Sequence, residues 1–402
     1  MISFADIEQA RGRIKDQIYL SPFPHSETIS RLSGNKVFFK LENLQMTGSF
    51  KERGALNRLL TLTADEARRG VIAASAGNHG MAVAFHSRRL NIAATIVMPV
   101  SAPLIKITRV RQYGAESVLC GSNYDAALAE ALRLSRERGL TFISAFDDPW
   151  IVAGQGTIGL ELYEQNPDLE AVIVAVGGGG LIAGIAVALK TILPKIRVIG
   201  VQSEALPSMI VALDKGAPTQ LAPAMTIADG IAVRAVGALP FELVRNYVDE
   251  VVAVSEGEIA NAVLMLLEIE KTVAEGAAAA PLAALLNKKT ALAGKNIGLI
   301  VSGGNIDVNL ISRIIESGLI QDGRLGRFSI VVSDRPGSLA RLAQRVADLG
   351  ANILQISQSR GFGEISIGET EVELIIETTG VEHIQRIYRT LRAEKFKIKN
   401  QP

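Results

Sequence analysis

The stretch AVIVAVGGGGLIAGIAVAL, residues 171–189, constrains the fold more than any other part of the chain. It carries no charge and has roughly the length of a membrane-crossing helix, about 20 residues. The four glycines at its centre, Gly177 to Gly180, argue against that reading, because each costs about 1 kcal/mol in a helix interior. The segment parses instead as a buried strand (171–176), a glycine turn (177–180) and a helix start (181–190). The same alternation recurs upstream and downstream. Val71–Ala74, Ala94–Met98, Ser117–Leu119, Val198–Gln202 and Gly298–Ser302 read as buried strands. Helical segments at 76–90, 103–113, 124–138, 181–192 and 256–269 separate them. Turns fall at Pro99, Gly114, Gly121 and Pro194. This is the pattern of an α/β protein whose parallel sheets are covered by helices.

After about residue 318 the character changes. Gln321–Gly326 reads as part of a short polar linker, placed at 319–326. Strands are then expected at about 328–334, 352–360, 371–378 and 395–399, with helices at 337–349 and 381–393. That βαββαβ order is the ferredoxin-like plan. With 402 residues, two to three domains are expected. The division is 1–318, with a small subdomain of about 46–146 inserted in a larger one, and then 327–402. A net charge of +1 with scattered Lys and Arg gives no pull toward nucleic acid or membrane surfaces. Cys120 is the single cysteine, which rules out an internal disulfide and a cysteine-based metal site. The start, MISFADIEQARGRIKD, has acidic residues and no apolar core, so a cytoplasmic location is expected.

Four short segments could carry chemistry. SFKERG (49–54) follows the strand-like VFFKLEN (37–43). A desolvated Lys51 beside Phe50 could attack a carbonyl, although a lysine beside a buried Phe is more often a surface residue. SAGNHG (75–80) follows a strand and opens a helix, where backbone N–H groups can meet an anion. Ser75 as a plain helix cap is the simpler alternative. The GGGGL run at 177–181 lets the backbone wrap a phosphate, and a simple turn would need fewer glycines. SGGN (302–305) puts Ser302 at a strand end, where α/β sheets bind ligands. Residues 178–183 also fit G-x-G-x-x-A, with Glu204 where a ribose-binding acid would sit. A dinucleotide enzyme is therefore a rival from these residues alone.

The ordered set KLEN, TGSFKERG, SAGNHG, DDPWIVAGQGTIGLE, VGGGGLIAGIA, ADG, EGAAA and SGGN resembles the β-eliminating pyridoxal-5′-phosphate (PLP) enzymes of the tryptophan-synthase-β type. Within them it is most similar to the threonine dehydratase (threonine ammonia-lyase) group and its relative serine racemase. The likeness covers about residues 5–316 and implies a fold-type II architecture with two parallel-sheet subdomains. By this resemblance Lys51 would carry the cofactor and Phe50 would pack on its ring. Asn78 would bond the ring hydroxyl, and Gly177, Gly178, Gly179, Gly180 and Leu181 would hold the phosphate. Ser302 would meet the ring nitrogen. Ser75, Gly77, Asn78 and His79 would hold the substrate carboxylate. The activity implied is elimination and deamination of L-threonine to 2-oxobutanoate and ammonia. L-Serine and 3-hydroxyaspartate are the alternative substrates, and a non-catalytic amino-acid sensor is the alternative of another class. A neutral hydroxyl at Ser302 would disfavour transamination.

Two positions depart from serine racemase. Ala76 stands where that enzyme has a second serine, so negligible D-amino acid formation is expected. Gln202 stands where it has a divalent-metal ligand, so no Mg²⁺ or Ca²⁺ site is expected, while a monovalent cation stays open. The tail resembles an ACT domain through DRPGSL (334–339) and GANI (350–353). By resemblance Gly337, Asn352 and Ile353 would lie near an amino-acid effector. Isoleucine or valine is the candidate if the enzyme serves isoleucine synthesis, and the chain would form a homo-oligomer, dimer or tetramer.

Overall fold

The computed structural model describes residues 2–360 and 365–399. The chain divides into two compact units, Met1–Ile306 and Asp307–Pro402. The first contains two sheets. The larger runs, edge to edge, His25–Ser26, Lys36–Leu41, Asn296–Val301, Ala171–Ala175, Arg197–Ser203 and Glu250–Val254. All its pairings are parallel except the short first one. The smaller runs Glu116–Leu119, Ala94–Met98, Val71–Ala74 and Thr141–Phe142, all parallel.

The uncharged stretch adopts the strand–turn–helix parse. Ala171–Ala175 is buried throughout, and the helix Gly180–Ile192 is buried along all but its last turns. It is apolar on every side because it packs in the main core beside the helix Pro149–Gln165, whose residues 151–162 are also all buried. Among the described residues no helix is long and apolar enough to cross a membrane.

One helix crossing governs the site. The helix Lys51–Leu60 meets Pro149–Gln165 with backbones in contact. A Cβ on Gly154 would lie 2.7 Å from Gly54 Cα, and one on Gly54 would lie 2.8 Å from the Ile151 carbonyl oxygen. Beneath this crossing lies a buried charge cluster. Arg53 donates to both oxygens of Glu42 at 2.7 Å, and to the two oxygens of Glu161 at 2.6 and 2.8 Å. Lys40 Nζ donates to Glu161 Oε2 at 2.6 Å, to Ser21 O at 2.9 Å and to Gln165 Oε1 at 2.9 Å. Burial alone would push Glu42 up, but the Arg53 guanidinium overrides it and holds the carboxyl below its usual range. Burial also opposes the charge on Arg53, yet Glu42 and Glu161 raise it further. Burial lowers Lys40, with Glu161 opposing.

The second unit opens with the helix Val308–Gln321. A four-stranded antiparallel sheet follows, in the order Asn352–Ser359, Glu369–Glu377, Leu325–Ser333 and Lys397–Ile398. Ser338–Asp348 and Val381–Ala393 are its helices. The residues expected as a linker, 319–326, are the end of one helix and the start of a strand. Leu325 and Gly326 already pair with Glu377 and Ile376, and the polar run at 321–324 is a surface turn. The unit boundary therefore falls after Ile306 rather than at 318.

Candidate active site

The two sheets of the first unit face a cavity of about 700 Å³, in the size range of a cofactor site. Lys51, Phe50, Ser75, Gly77, Asn78, His79, Gly177–Leu181 and Ser302 all line it. Residues far apart in sequence are tied here by main-chain bonds. Phe50 N donates to Ser302 O at 3.0 Å, and Ser49 bridges to Gly303.

Lys51 begins its helix and is half-buried, with Nζ donating to Ala145 O at 2.8 Å. Desolvation lowers its pKa to about 8, against a partial opposing pull from Glu275. At pH 7 about a tenth of such an amine is neutral, against roughly one in three thousand for an ordinary lysine. That difference makes it a nucleophile toward an aldehyde.

The glycine run forms the turn into Gly180–Ile192, with Gly179 at φ +95°. The first N–H groups of that helix have no intrahelical partner and bear the positive end of its dipole. The run is also required from behind. A Cβ on Gly178 would lie 2.2 Å from the Phe146 ring, and one on Gly180 would lie 2.9 Å from Phe146 O. A second helix, Asn78–Arg89, likewise points its N-terminus at the cavity, and Gly77 N donates to Ser75 Oγ at 3.1 Å.

His79 contributes differently from its neighbours. Its Nε2 lies 3.0 Å from the Ile143 carbonyl oxygen, which can only accept, so Nε2 carries the proton. Desolvation, with Lys51 nearby, pushes the ring's pKa to about 3. The ring is neutral and its one N–H is engaged, so what His79 can offer an anion is its main-chain N–H. Asn78 is engaged too: Oδ1 accepts from Asn305 Nδ2 at 2.7 Å, and Nδ2 donates to Glu275 at 2.9 and 3.0 Å. Glu275 was not singled out from the sequence. It is buried, and desolvation followed by the charge of Asp229 pushes its pKa up to about 7.

Residues 14–303 match the family described as pyridoxal-phosphate dependent enzyme, and residues 327–396 match the ACT domain. The chain belongs to the pyridoxal-phosphate-dependent enzyme family. It is 48% identical to the L-threonine ammonia-lyase of Thermotoga maritima, covering 99% of both chains. To that of Geobacter sulfurreducens it is 46% identical, covering 98% of both. Threonine deaminase isoform 2 from Solanum lycopersicum superposes with a TM-score of 0.75 at 38% identity, over 78% of this chain and 92% of that one. Serine racemase from Dictyostelium discoideum superposes with a TM-score of 0.71 at 36% identity, over 76% and 99%.

The residues present fit pyridoxal phosphate. A half-buried amine of lowered pKa suits its aldehyde, and a glycine-lined helix N-terminus suits its phosphate. The amide of Asn78 and the buried hydroxyl of Ser302 line the space between. The dinucleotide alternative loses its support, since Glu204 lies at the surface beside Lys289, at 3.5 Å. Gln202 also has a structural task. Its Oε1 accepts from Met209 N and Ile210 N, and its Nε2 donates to Val176 O at 3.1 Å.

In the second unit a cavity of about 340 Å³ lies at the N-terminus of Ser338–Asp348. Gly337, Asp334, Arg360 and Gln358 line it, and Arg360 pairs with Asp334 at 2.9 Å. Of the three effector candidates it includes Gly337 alone. Asn352 and Ile353 sit at the opposite end of Asn352–Ser359 from Gln358, roughly 20 Å away at about 3.3 Å per residue. Asn352 Nδ2 donates to Glu377 at 3.3 Å.

Proposed function

We propose that this chain eliminates water from L-threonine and deaminates it, giving 2-oxobutanoate and ammonia. The observation that carries the reading is Lys51, a half-buried amine of lowered pKa in a cavity where the glycine loop and the SAGNHG helix also converge. The two near-full-length relatives named for this activity support it.

Pyridoxal phosphate, carried by Lys51, supplies the electron sink that lets the α-hydrogen and then the β-hydroxyl leave. The chain's own residues do the rest. Main-chain N–H groups at the start of Asn78–Arg89, with Ser75 and Gly77, bind the substrate carboxylate and fix which bond is broken. Gly177 to Gly180 and Leu181 hold the phosphate. Phe50 would wall the ring, and Asn78 would meet its hydroxyl. The Lys51 amine, once free, accepts the α-proton at Nζ, and its depressed pKa keeps a useful fraction neutral near pH 7. Ser302 would meet the ring nitrogen as a neutral hydroxyl and would force no proton onto it. Ala76 lines the cavity without a proton to give, so racemisation is not part of the activity. Ion pairs Lys106–Asp229 and Arg234–Asp125, set around the cavity, help to keep water out.

The second unit is read as a regulatory module that binds a branched-chain amino acid, isoleucine or valine, and that pairs in a homodimer or homotetramer. The ACT match supports regulation. The edge strand Asn352–Ser359, with Leu354 and Ile356 exposed, supports pairing. A cytoplasmic setting and a role in isoleucine synthesis complete the proposal.

The test is a panel of L-threonine, L-serine and 3-hydroxyaspartate given to the PLP-loaded protein, with 2-oxo acid and ammonia measured together. Equal amounts of both products, fastest from threonine, are expected. Turnover of serine or 3-hydroxyaspartate with threonine inert would reassign the substrate, and silence on all three would favour a sensor.

A further inference from the structure

Two motifs without a task so far, ADG (228–230) and EGAAA (275–279), meet SGGN (302–305) at one carboxyl. Glu275 is 4% exposed and lines the cavity. A Cβ on Gly303 would lie 2.6 Å from Glu275 Oε1, and one on Gly230 would lie 3.1 Å from the same atom. These glycines leave the space that the carboxyl fills. Glu275 also occupies the N-cap position of Gly276–Leu286, where an acid commonly bonds the helix N–H groups. Its side chain does not. It turns to Asn78, accepting from Nδ2 at 2.9 and 3.0 Å.

We propose that Glu275 is a positioning residue which, with Asn305, fixes the Asn78 amide against the cofactor ring and sets a carboxyl charge behind it. The inference rests on the pyridoxal phosphate reading. The donors run in one direction. Arg109 Nη1 donates to Asn305 Oδ1 at 3.1 Å, Asn305 Nδ2 donates to Asn78 Oδ1, and Asn78 Nδ2 donates to Glu275. Reversing the Asn78 amide would set donor against donor at Asn305 and oxygen against oxygen at Glu275. The amide is therefore held with its N–H side on the carboxyl, and the negative charge of Glu275 strengthens that bond.

The charged groups that act on Glu275 are Asp229, Lys106 and Lys51, with Arg109 at one remove through Asn305 and Asn78. Asp229 and Lys106 are themselves paired at 3.0 Å. Burial and Asp229 raise the Glu275 pKa to about 7, while the Asn78 bond, Lys106 and Lys51 oppose them. The charge beside Asn78 therefore switches on near neutral pH, and the absorbance of the bound cofactor reports it.

The experiment is an absorbance titration of the holoenzyme from roughly pH 5 to pH 9, with no substrate. Wild type is expected to show a spectral transition within that range as the Glu275 carboxyl, raised by burial and Asp229, ionises. E275Q keeps an acceptor for Asn78, so it should keep the chromophore and lose the transition. K106M removes a group that lowers the Glu275 pKa and should move the midpoint up, and D229N should move it down. These two variants carry the test should E275Q fail to fold or to load. A transition unchanged in E275Q, no transition in wild type, or midpoints in K106M and D229N that stay put or move the other way would overturn the inference and leave the cofactor in place. A wild-type protein that binds no pyridoxal phosphate would overturn the cofactor reading, and this inference with it.

Discussion

Two clusters of buried ionisable groups flank the helix Lys51–Leu60, and they behave oppositely. Below it, Arg53 and Lys40 meet Glu42 and Glu161, two cations against two anions in direct contact. Facing the cavity, Lys51, His79 and Glu275 form no ion pair within 4 Å among the described residues, although His79 and Glu275 are buried and Lys51 is half-buried. Where partners touch, they keep Arg53 and Glu42 charged in spite of burial, and Lys40 alone still shifts toward its neutral form. Where they do not, burial dominates and each group shifts toward its neutral form. The same helix carries both outcomes two residues apart. The matched cluster anchors the scaffold, and the unmatched one supplies reactive groups.

That contrast can be broken by substitution. The largest effect is expected from Lys51→Ala, which should lower 2-oxo acid release by at least about 10³-fold and abolish the bound chromophore. Arg53→Met should destabilise the protein by about 3–5 kcal/mol in chemical denaturation, because Glu42 is left buried without its cation and Glu161 keeps only Lys40. Lys51→Met should do the reverse in cofactor-free protein. With a folded pKa of about 8 against an ordinary 10.5, the amine's burial cost is about 3 kcal/mol. The whole of it applies below pH 8, and it is relieved as pH rises through 8 to 10.5, so the variant gains most below 8. Destabilisation by Lys51→Met at pH 7 would erase the distinction between the clusters.

Glu275 gives the same contrast with the sign of an acid. Its pKa rises from an ordinary 4.5 to about 7 on folding. Cofactor-free protein should therefore lose up to about 3 kcal/mol as pH climbs through that window, and E275Q should remove this loss. A smaller effect is expected at the phosphate loop. Gly178→Ala forces the Phe146 ring aside, and cofactor affinity should fall about tenfold by equilibrium dialysis, at ~1–3 kcal/mol for overpacking. The smallest concerns the second unit. Ending the chain after Ile306 should preserve turnover and abolish any response to isoleucine or valine, a coupling typically worth ~1–3 kcal/mol. Turnover lost with the unit would make it structural.

What the sequence revealed follows the same physics. Strands such as Val71–Ala74 and Ala94–Met98 were legible because β-branched runs end at glycine or proline turns. The glycine loop stood out because such a run is costly without a ligand, and Lys51 stood out only through the ordered set of motifs around it. The helix Pro149–Gln165 was not legible, because it is buried on all sides and shows no polar face to set a period. The strand Glu250–Val254 was missed because it is a short, half-buried edge. Glu275 was hidden for another reason. One acid before an alanine run has no signature, and only the space left by Gly230 and Gly303 reveals its task. The effector candidates Asn352 and Ile353 came from GANI (350–353) at the start of a strand, and the cavity lies at that strand's other end.

The most direct test of the central claim, that the unpaired amine of Lys51 carries the cofactor, is borohydride reduction of the holoprotein followed by peptide mapping. A single pyridoxyl adduct, on Lys51, is expected. An adduct on another lysine, or none from a protein that turns over threonine, would contradict it.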